Sequence, residues 1–513
     1  MAYDLAFMVL FTIAVVMFIT KNKHKVQNQG ALNLYKTKLG LKIIESTAKK
    51  YKTILSRLEY FVIGLGYILM IAILGIMGYS TYLYIRYPII VETIKAPPVI
   101  PLIPYFTEIF DLQSVFPPFY FTYFLVALII VAVVHEFSHG IFARLNKIKI
   151  HTTGFAFMGP LIYSLISAWR SKSKNSRVNV SVATLIVIFA AVWLKSWLIL
   201  IFLIVPLLGA FVEQDDKQMN KAKKKPQLAI LAAGVFANMV FAFIFLILIW
   251  IFFVVAFTPT GILFNNYALD VIPRADILSV NNISLAQGIS TLNFSEQYVK
   301  IETNYSHYFV QPISFNRSIT SNAPYILVYR DSPAFRAKLS GIITAIDGKR
   351  VISFSNLGQI LSEHKPGDSI EVSTLSRGKE VKTTLVLGES EQKRAFIGIT
   401  SPDPSKASSI PGMMYAFTPK VDDALRGVHY ESRLGDFGIF IFHMIWWIMT
   451  INFFVALFNM LPLGILDGGR FFYLTVVGIT GSEKVGTRAF KIITWFIVAL
   501  LAIMMVRWSF SIL

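Results

Sequence analysis

A chain of 513 residues with 55% hydrophobic content, 15% charged residues and a mean hydropathy of +0.61 belongs in a bilayer, not among arrays of soluble domains. Its apolar residues fall in long runs and it has no cysteine, which excludes disulfide-stapled modules, disordered tails, thiolate metal sites and cysteine nucleophiles. The net charge of +19 is segregated: ten Lys/Arg and one acidic residue, Glu45, lie between Lys21 and Arg57, against one Lys and three acidic residues from Tyr87 to Pro118. Charge asymmetry of this kind places the first segment in the cytoplasm and the second outside, and calls for no nucleic-acid partner.

Apolar runs long enough to cross about 30 Å of hydrocarbon occur near residues 3–20, 61–85, 119–143, 227–257, 437–461 and 485–509. The first has no basic residue before it and Lys21, Lys23 and Lys25 after it, so it reads as an uncleaved anchor with its amino terminus outside. The segment Lys36–Arg57 is amphipathic, suited to the inner membrane surface or to an exposed basic helix. Alternation brings the third span inward at Arg144, Lys147 and Lys149, and takes the fourth outward after Lys221 and Lys223–Lys225. The apolar block Met158–Gly209 must therefore begin and end on one side, and Lys195 with the basic stretch Arg170–Arg177 favours a pair of short elements.

Residues 258–435 are less apolar and fall outside. Between 323 and 400, short β-branched runs, a helix-like stretch at Ser355–His364 and turns at Asp347-Gly348 and Pro366-Gly367 predict a five- or six-strand α+β module. Upstream, ADILSVNNISL echoes a strand and turn of the same kind. The N-x-S sequons at Asn282, Asn293, Asn304 and Asn316 offer glycosylation acceptors or merely reflect an Asn/Ser-rich composition.

Chemistry concentrates at His135-Glu136-Phe137-Ser138-His139, near the inner end of the third span. Positions i and i+4 share a helix face, so both imidazoles reach one metal ion while Glu136 occupies the adjacent sector. With eight His among 513 residues, an accidental HExxH has an expected count below about 0.01. A pair of merely structural histidines beside a carboxylate would need unrelated partners, at a cost that ionisable groups in lipid seldom bear without function. A catalytic zinc site has three protein ligands and an open position, so a third ligand is required. His24 and His151 lie in cytoplasmic loops, His307, His364 and His429 lie outside, and His443 is 24 residues from Asp467, about 36 Å along a helix. Asp467 is the better candidate. It precedes Gly468-Gly469 at the cytoplasmic end of the fifth span, and a helix broken around Pro462 and Gly464 reaches the depth of His135, about 13 Å inside the boundary.

The combination of HExxH with NxxPxxxLDG (Asn459, Pro462, Asp467), on separate spans with an outer module between them, resembles the site-2 protease family of intramembrane zinc metalloproteases. The resemblance runs from the third span to the end, apart from an insertion at about 160–206. The 323–400 module is similar to a PDZ domain at Ser332-Pro333-Ala334, Ile346-Asp347-Gly348-Lys349 and Lys365-Pro366-Gly367-Asp368, with Ser340-Gly341 where Pro-Gly-Asp is common. Gly154–Pro160 and Gly209–Glu213 resemble the family's membrane re-entrant β-element. Ala232–Asn238 resembles its next core helix, with Val235 where Pro is usual.

The resemblance implies a polytopic α-helical membrane protein with an inserted extracytoplasmic α+β PDZ-like domain. Its segments are 1–118 (anchor spans and basic segment), 119–257 (first half of the catalytic core), 258–322 (fold unassigned), 323–400 (PDZ-like), 401–436 (linker) and 437–513 (second half of the core). It implies His135, His139 and Asp467 as ligands of Zn2+, Glu136 as general base, and Asn238 and Asn459 as residues holding the substrate backbone. The expected activity is hydrolysis of peptide bonds within or near the spans of single-span membrane proteins, in regulated intramembrane proteolysis. A helical substrate must unwind, and an edge strand from Gly154–Gly159 or Gly209–Glu213 could replace its hydrogen bonds by β-addition. Expected partners are those transmembrane segments, peptides at the PDZ-like domain and the bilayer. The location is a multi-pass cell-membrane protein with its amino terminus and PDZ-like domain outside and its active site towards the cytoplasm. The competing reading is a non-proteolytic scaffold or chaperone with a structural zinc site; such sites are usually closed by four ligands, and Glu136 has no use there.

Overall fold

The computed structural model describes residues 2–29, 32–87, 97–100, 102–113, 116–158, 207–264, 266–284, 297–321, 324–376, 378–400, 427–464 and 466–512, with four positions between 181 and 188. The 160–206 insertion apart from those four, Asn293 and the 401–426 part of the linker lie outside the described residues. Two units result, one from Met1–Phe253 with Phe440–Leu513, the other Val254–Ile439.

The first unit contains the membrane helices. In chain order come α1 (Ala2–Lys21), β1 (Val26–Gln29), β2 (Leu32–Thr37), α2 (Leu41–Lys50), α3 (Lys52–Arg86), α4 (Phe121–Leu145), β3 (Ile150–Met158), β4 (Leu207–Gln214), α5 (Lys224–Ala256), α6 (Gly435–Asn459), α7 (Asp467–Thr480) and α8 (Glu483–Ile512). Among the described residues, six helices are long and apolar enough to cross a bilayer: α1, α3, α4, α5, α6 and α8. These are the six expected spans, each closing its backbone hydrogen bonds within itself as lipid requires. Val62, Ile73, Ala232, Val235, Met460, Phe471 and Ile497 belong to a core shared by the helices after α1, while Val15 and Ile19 of α1 pack on Phe157 of β3.

Two buried carboxylates tie the helices at opposite ends. Tyr120 gives α4 no side-chain cap. The Asp4 carboxylate of α1 replaces it, accepting from the amides of Phe121 at 2.8 Å and Thr122 at 2.9 Å and from the hydroxyls of Thr122 and Tyr105. Hence α1 and α4 start at the same end, as the alternation of spans requires. At the other end Glu59 of α3 accepts from Asn146 at 2.8 Å and pairs with Lys225 at 3.0 Å, joining α3 to the end of α4 and the start of α5.

The strands form one antiparallel sheet in the order β1-β2-β3-β4. Gly154 pairs with both Lys36 and Phe211, so β3 has neighbours on both sides. Among the described residues β4 pairs with β3 alone, so of the two segments expected to offer an edge strand β4 is the one at the edge. The segment Lys36–Arg57 also departs from expectation. It begins in β2, continues as α2 and then enters α3. Ile44 and Ala48 of α2 are buried, and the Ile44 side chain meets α4 at Gly140. Leu-Asn-Leu-Tyr-Lys-Thr lies within a stretch read by its charge, and its two faces each mix apolar and polar residues, so the strand left no clear period.

The strands of the second unit include β5 (Phe257–Leu263), β6 (Asn266–Tyr267), β7 (Leu269–Pro273), β8 (Ile277–Val280), β9 (Ile283–Ser284), β10 (Val299–Thr303), β11 (His307–Val310), β12 (Tyr325–Arg330), β13 (Ile342–Ile346), β14 (Lys349–Arg350), β15 (Ser369–Ser376) and β16 (Lys379–Val386). One sheet runs β7-β12-β11-β10-β8-β9, around Val280, Ile301, Phe315 and Val328. The other runs β16-β15-β13-β5 and ends on Val428–Ser432, with β14 paired to β13, around Ile262, Ile343, Ile346 and Val372. The helix-like stretch at Ser355–His364 is a helix at Phe354–Ser362, capped by the Ser353 hydroxyl. The boundaries drawn at 257/258 and 322/323 are crossed, because β5 joins the second sheet and β12 the first.

The echo at ADILSVNNISL is structural. The orders β9-β8-β10-β11 and β14-β13-β15-β16 correspond strand for strand. Each begins with a hairpin whose two turn residues have positive φ, Asn281-Asn282 and Asp347-Gly348. In the first, Asn281 N–H donates to Lys300 O at 2.9 Å and Lys300 N–H to Asn281 Oδ1 at 2.7 Å. In the second, Asp347 and Glu371 make the same two bonds at 2.9 and 2.7 Å. Phe335 joins the modules, its ring 4.6 Å from that of Phe309 and 5.0 Å from that of Tyr298. Asn282, Asn304 and Asn316 are all exposed.

Candidate metal centre

Three side chains from two helices of the first unit meet at one point. His135 and His139 project from one face of α4, and Asp467 is the first residue of α7. The start of α7 lies tightly against the chain that leaves α6 at Met460–Gly464, and the two glycines after Asp467 permit it. A Cβ at Gly468 would lie 2.3 Å from the Met460 carbonyl carbon, and one at Gly469 would lie 2.1 Å from Leu463 O. The carboxylate thus sits at a helix start, where the dipole favours negative charge.

His135 Nε2 lies 3.1 Å and His139 Nε2 3.4 Å from Asp467 Oδ2, and the two Nε2 atoms are 3.0 Å apart. Bonds of 2.0–2.2 Å in a tetrahedron put neighbouring donors about 3.3 Å apart. The triangle therefore has the size of one face of a four-coordinate zinc site, and the residues fit the ion. Both histidines are buried. Among the described residues, His135, His139 and Asp467 are the one group of three that could hold a metal. His443 stands elsewhere, its ring 6.4 Å from that of Tyr123.

The surroundings fix the donors. His139 Nδ1 donates to Ile230 O at 2.7 Å, which leaves the Nε2 lone pair facing the other ligands. The Asn238 amide lies 3.1 Å from His135 Nδ1, on the opposite side of the ring from the metal point, and is fully buried. The Asn459 amide lies 3.5 Å from His135 Nε2, on the metal side. Glu136 points to the adjacent sector, where its Oε2 accepts the Val212 N–H of β4 at 3.0 Å. The predicted ligands and base thus come together, with Asn459 in front of the site and Asn238 behind it. Sequence reasoning missed the Ile230 carbonyl and the Val212 amide, backbone groups with no residue-type signature.

No curated protein matches this chain. The family model of Peptidase family M50 matches residues 123–504. That stretch starts two residues into α4 and ends within α8, so every ligand-bearing element falls inside it, and the chain belongs to peptidase family M50, the site-2 protease family.

Proposed function

We propose that this membrane metallopeptidase is a zinc endopeptidase that hydrolyses peptide bonds within or beside the transmembrane segments of single-span proteins, as a step of regulated intramembrane proteolysis. The observation that carries the reading is the convergence of His135, His139 and Asp467, from two helices, at the spacing of a three-ligand site. A zinc ion held there would act as a Lewis acid and lower the pKa of bound water from about 15.7 towards 7. Glu136 is the base, since it neighbours the ligands and is not one of them. Asn459 stands where its amide can hold a substrate carbonyl or N–H beside the reacting bond.

A substrate helix exposes no peptide groups until it unwinds, so the site needs a place for an extended strand. β4 supports that role. The Val212 N–H bonds to Glu136 and therefore points away from β3, and backbone direction alternates along a strand. Ala210 and Leu208 consequently turn their N–H and C=O groups to the same free edge, beside the base, where a strand from the substrate can add. The charge asymmetry of the loops supports an outward amino terminus and outer 258–435 region, with the active site towards the cytoplasm.

The turns and strand order of the 323–400 region support reading it as PDZ-like, and two parts suit such a module. It could recruit substrates by an extended peptide end, or admit only those already trimmed outside. Deleting 257–432, which removes the strands of both sheets together, and finding faster cleavage of untrimmed substrate would favour the filter.

The whole reading is tested by incubating the purified protein and its Glu136→Gln variant in detergent with a labelled transmembrane peptide, with zinc measured in both. Cleavage by the first alone, at equal zinc, is expected. Equal cleavage removes Glu136 as the base, and no cleavage by either leaves the scaffold alternative.

A further inference from the structure

One face of α5 is built around the two imidazoles. Ile230, Gly234 and Asn238 follow each other at intervals of four residues and share a side of the helix. Ile230 O takes the His139 Nδ1 proton at 2.7 Å. A Cβ on Gly234 would lie 2.6 Å from both His135 Cε1 and His139 Nε2, and 2.7 Å from His135 Nδ1. Any side chain there would push the rings off the metal point. Asn238 closes the row, fully buried, its amide 3.1 Å from His135 Nδ1.

The orientation of that amide bears on the chemistry. With Nδ2 facing the ring, the amide donates to Nδ1, the ring proton moves to Nε2, and the atom 3.1 Å from Asp467 has no lone pair for a metal. The same orientation leaves Asn238 Oδ1 buried without a partner. Turning the amide by half a revolution exchanges two groups of nearly equal shape. Oδ1 then accepts from Nδ1–H, and Nε2 faces the metal point as an acceptor.

We infer that Asn238 is a positioning residue that, with its carbonyl oxygen on His135 Nδ1, fixes the tautomer and plane of that ligand, and that Gly234 provides the space for both rings. This inference rests on the reading of the site as a zinc centre. It gives Asn238 a different part from holding the substrate backbone, one that acts on the metal before any substrate arrives.

The test is zinc affinity of the full-length protein in detergent, by competition with a chromophoric chelator, together with the visible absorption of the cobalt-substituted form. Asn238→Ala removes the acceptor and should weaken zinc binding about 10- to 100-fold, the usual effect of losing such an outer partner. Asn238→Asp keeps an acceptor and has no N–H to give, so it should hold zinc within about threefold of the wild type and preserve the cobalt spectrum. Gly234→Ala should weaken zinc and change that spectrum. Wild-type affinity in Asn238→Ala, or a loss in Asn238→Asp equal to that in Asn238→Ala, would overturn the inference. If the two Asn238 variants hold zinc like the wild type but Asn238→Asp cleaves poorly, the amide N–H serves substrate instead. If the wild-type protein itself binds no zinc, the functional reading fails and not this inference alone. The melting temperature of each variant separates a local loss from general unfolding.

Discussion

Glu136 and Val212 are joined by a hydrogen bond of 3.0 Å, carboxylate to backbone amide, which links the helix bearing HExxH to β4, the end strand of the described four-stranded sheet. On the proposed reading an unwound substrate adds to that same edge, which would hold it in one register with the base.

Replacing Val212 by Pro tests that link, because it deletes one outward N–H at a position where an edge strand tolerates Pro. Turnover should fall at least about tenfold as the base loses its orientation, with zinc content unchanged. Wild-type turnover in this variant would separate Glu136 from the sheet.

Asn459→Ala should lower turnover by about tenfold or more, since it removes a donor beside the reacting bond. Zinc should stay bound, as Asn459 is not a ligand. Metal analysis of the purified variant checks this, and loss of zinc would move Asn459 from substrate binding to upkeep of the centre.

At the far end of α4, Asp4→Ala removes a cap shared by two amides and leaves the buried Tyr105 hydroxyl without its acceptor. The expected cost is about 1–3 kcal/mol, seen as a lower melting temperature in detergent. Tyr3→Ala, one residue away and 93% exposed, should leave it unchanged. A full-strength melt in the Asp4 variant would show that the α1 cap adds no stability.

In the second unit Asp331 is partly buried, which alone would raise its pKa, but its bonds to Arg336 and His307 outweigh burial and hold it below the usual carboxylate value. A carboxylate whose folded pKa lies below its unfolded value of about 3.9 contributes stability above that value, and the contribution is lost as pH falls through the folded pKa. Hydrogen exchange at residues 325–340 of the intact protein should therefore quicken below about pH 4. In Asp331→Asn it should already be faster at neutral pH and show little further acid dependence. An identical acid response in the two proteins would contradict the assignment.

What the sequence revealed follows from which groups did the work. The HExxH pair was readable because a period of 3.6 places residues four apart on one face, and Asp467 because alternating spans fix depth from charged loop ends. Asp4 was not, since its partners Phe121 and Thr122 are over a hundred residues away and two of the bonds go to backbone. Ile230 and Val212 act through a carbonyl and an amide that every residue type carries. The second copy of the strand–turn unit left only ILSVNNIS as a trace. Its likeness to ITAIDGKR lies in pairing and in the Asn281 and Asp347 side-chain bonds more than in residue identity.

The central claim is that two imidazoles of α4 and the first carboxylate of α7 grip one divalent ion. Zinc per chain, measured by mass spectrometry on the purified protein and on Asp467→Ala, tests it most directly. The account predicts close to one zinc in the wild type and its loss in the variant, with both proteins folded. A folded Asp467→Ala protein that keeps its zinc, or a wild type that takes up none on reconstitution, would contradict it.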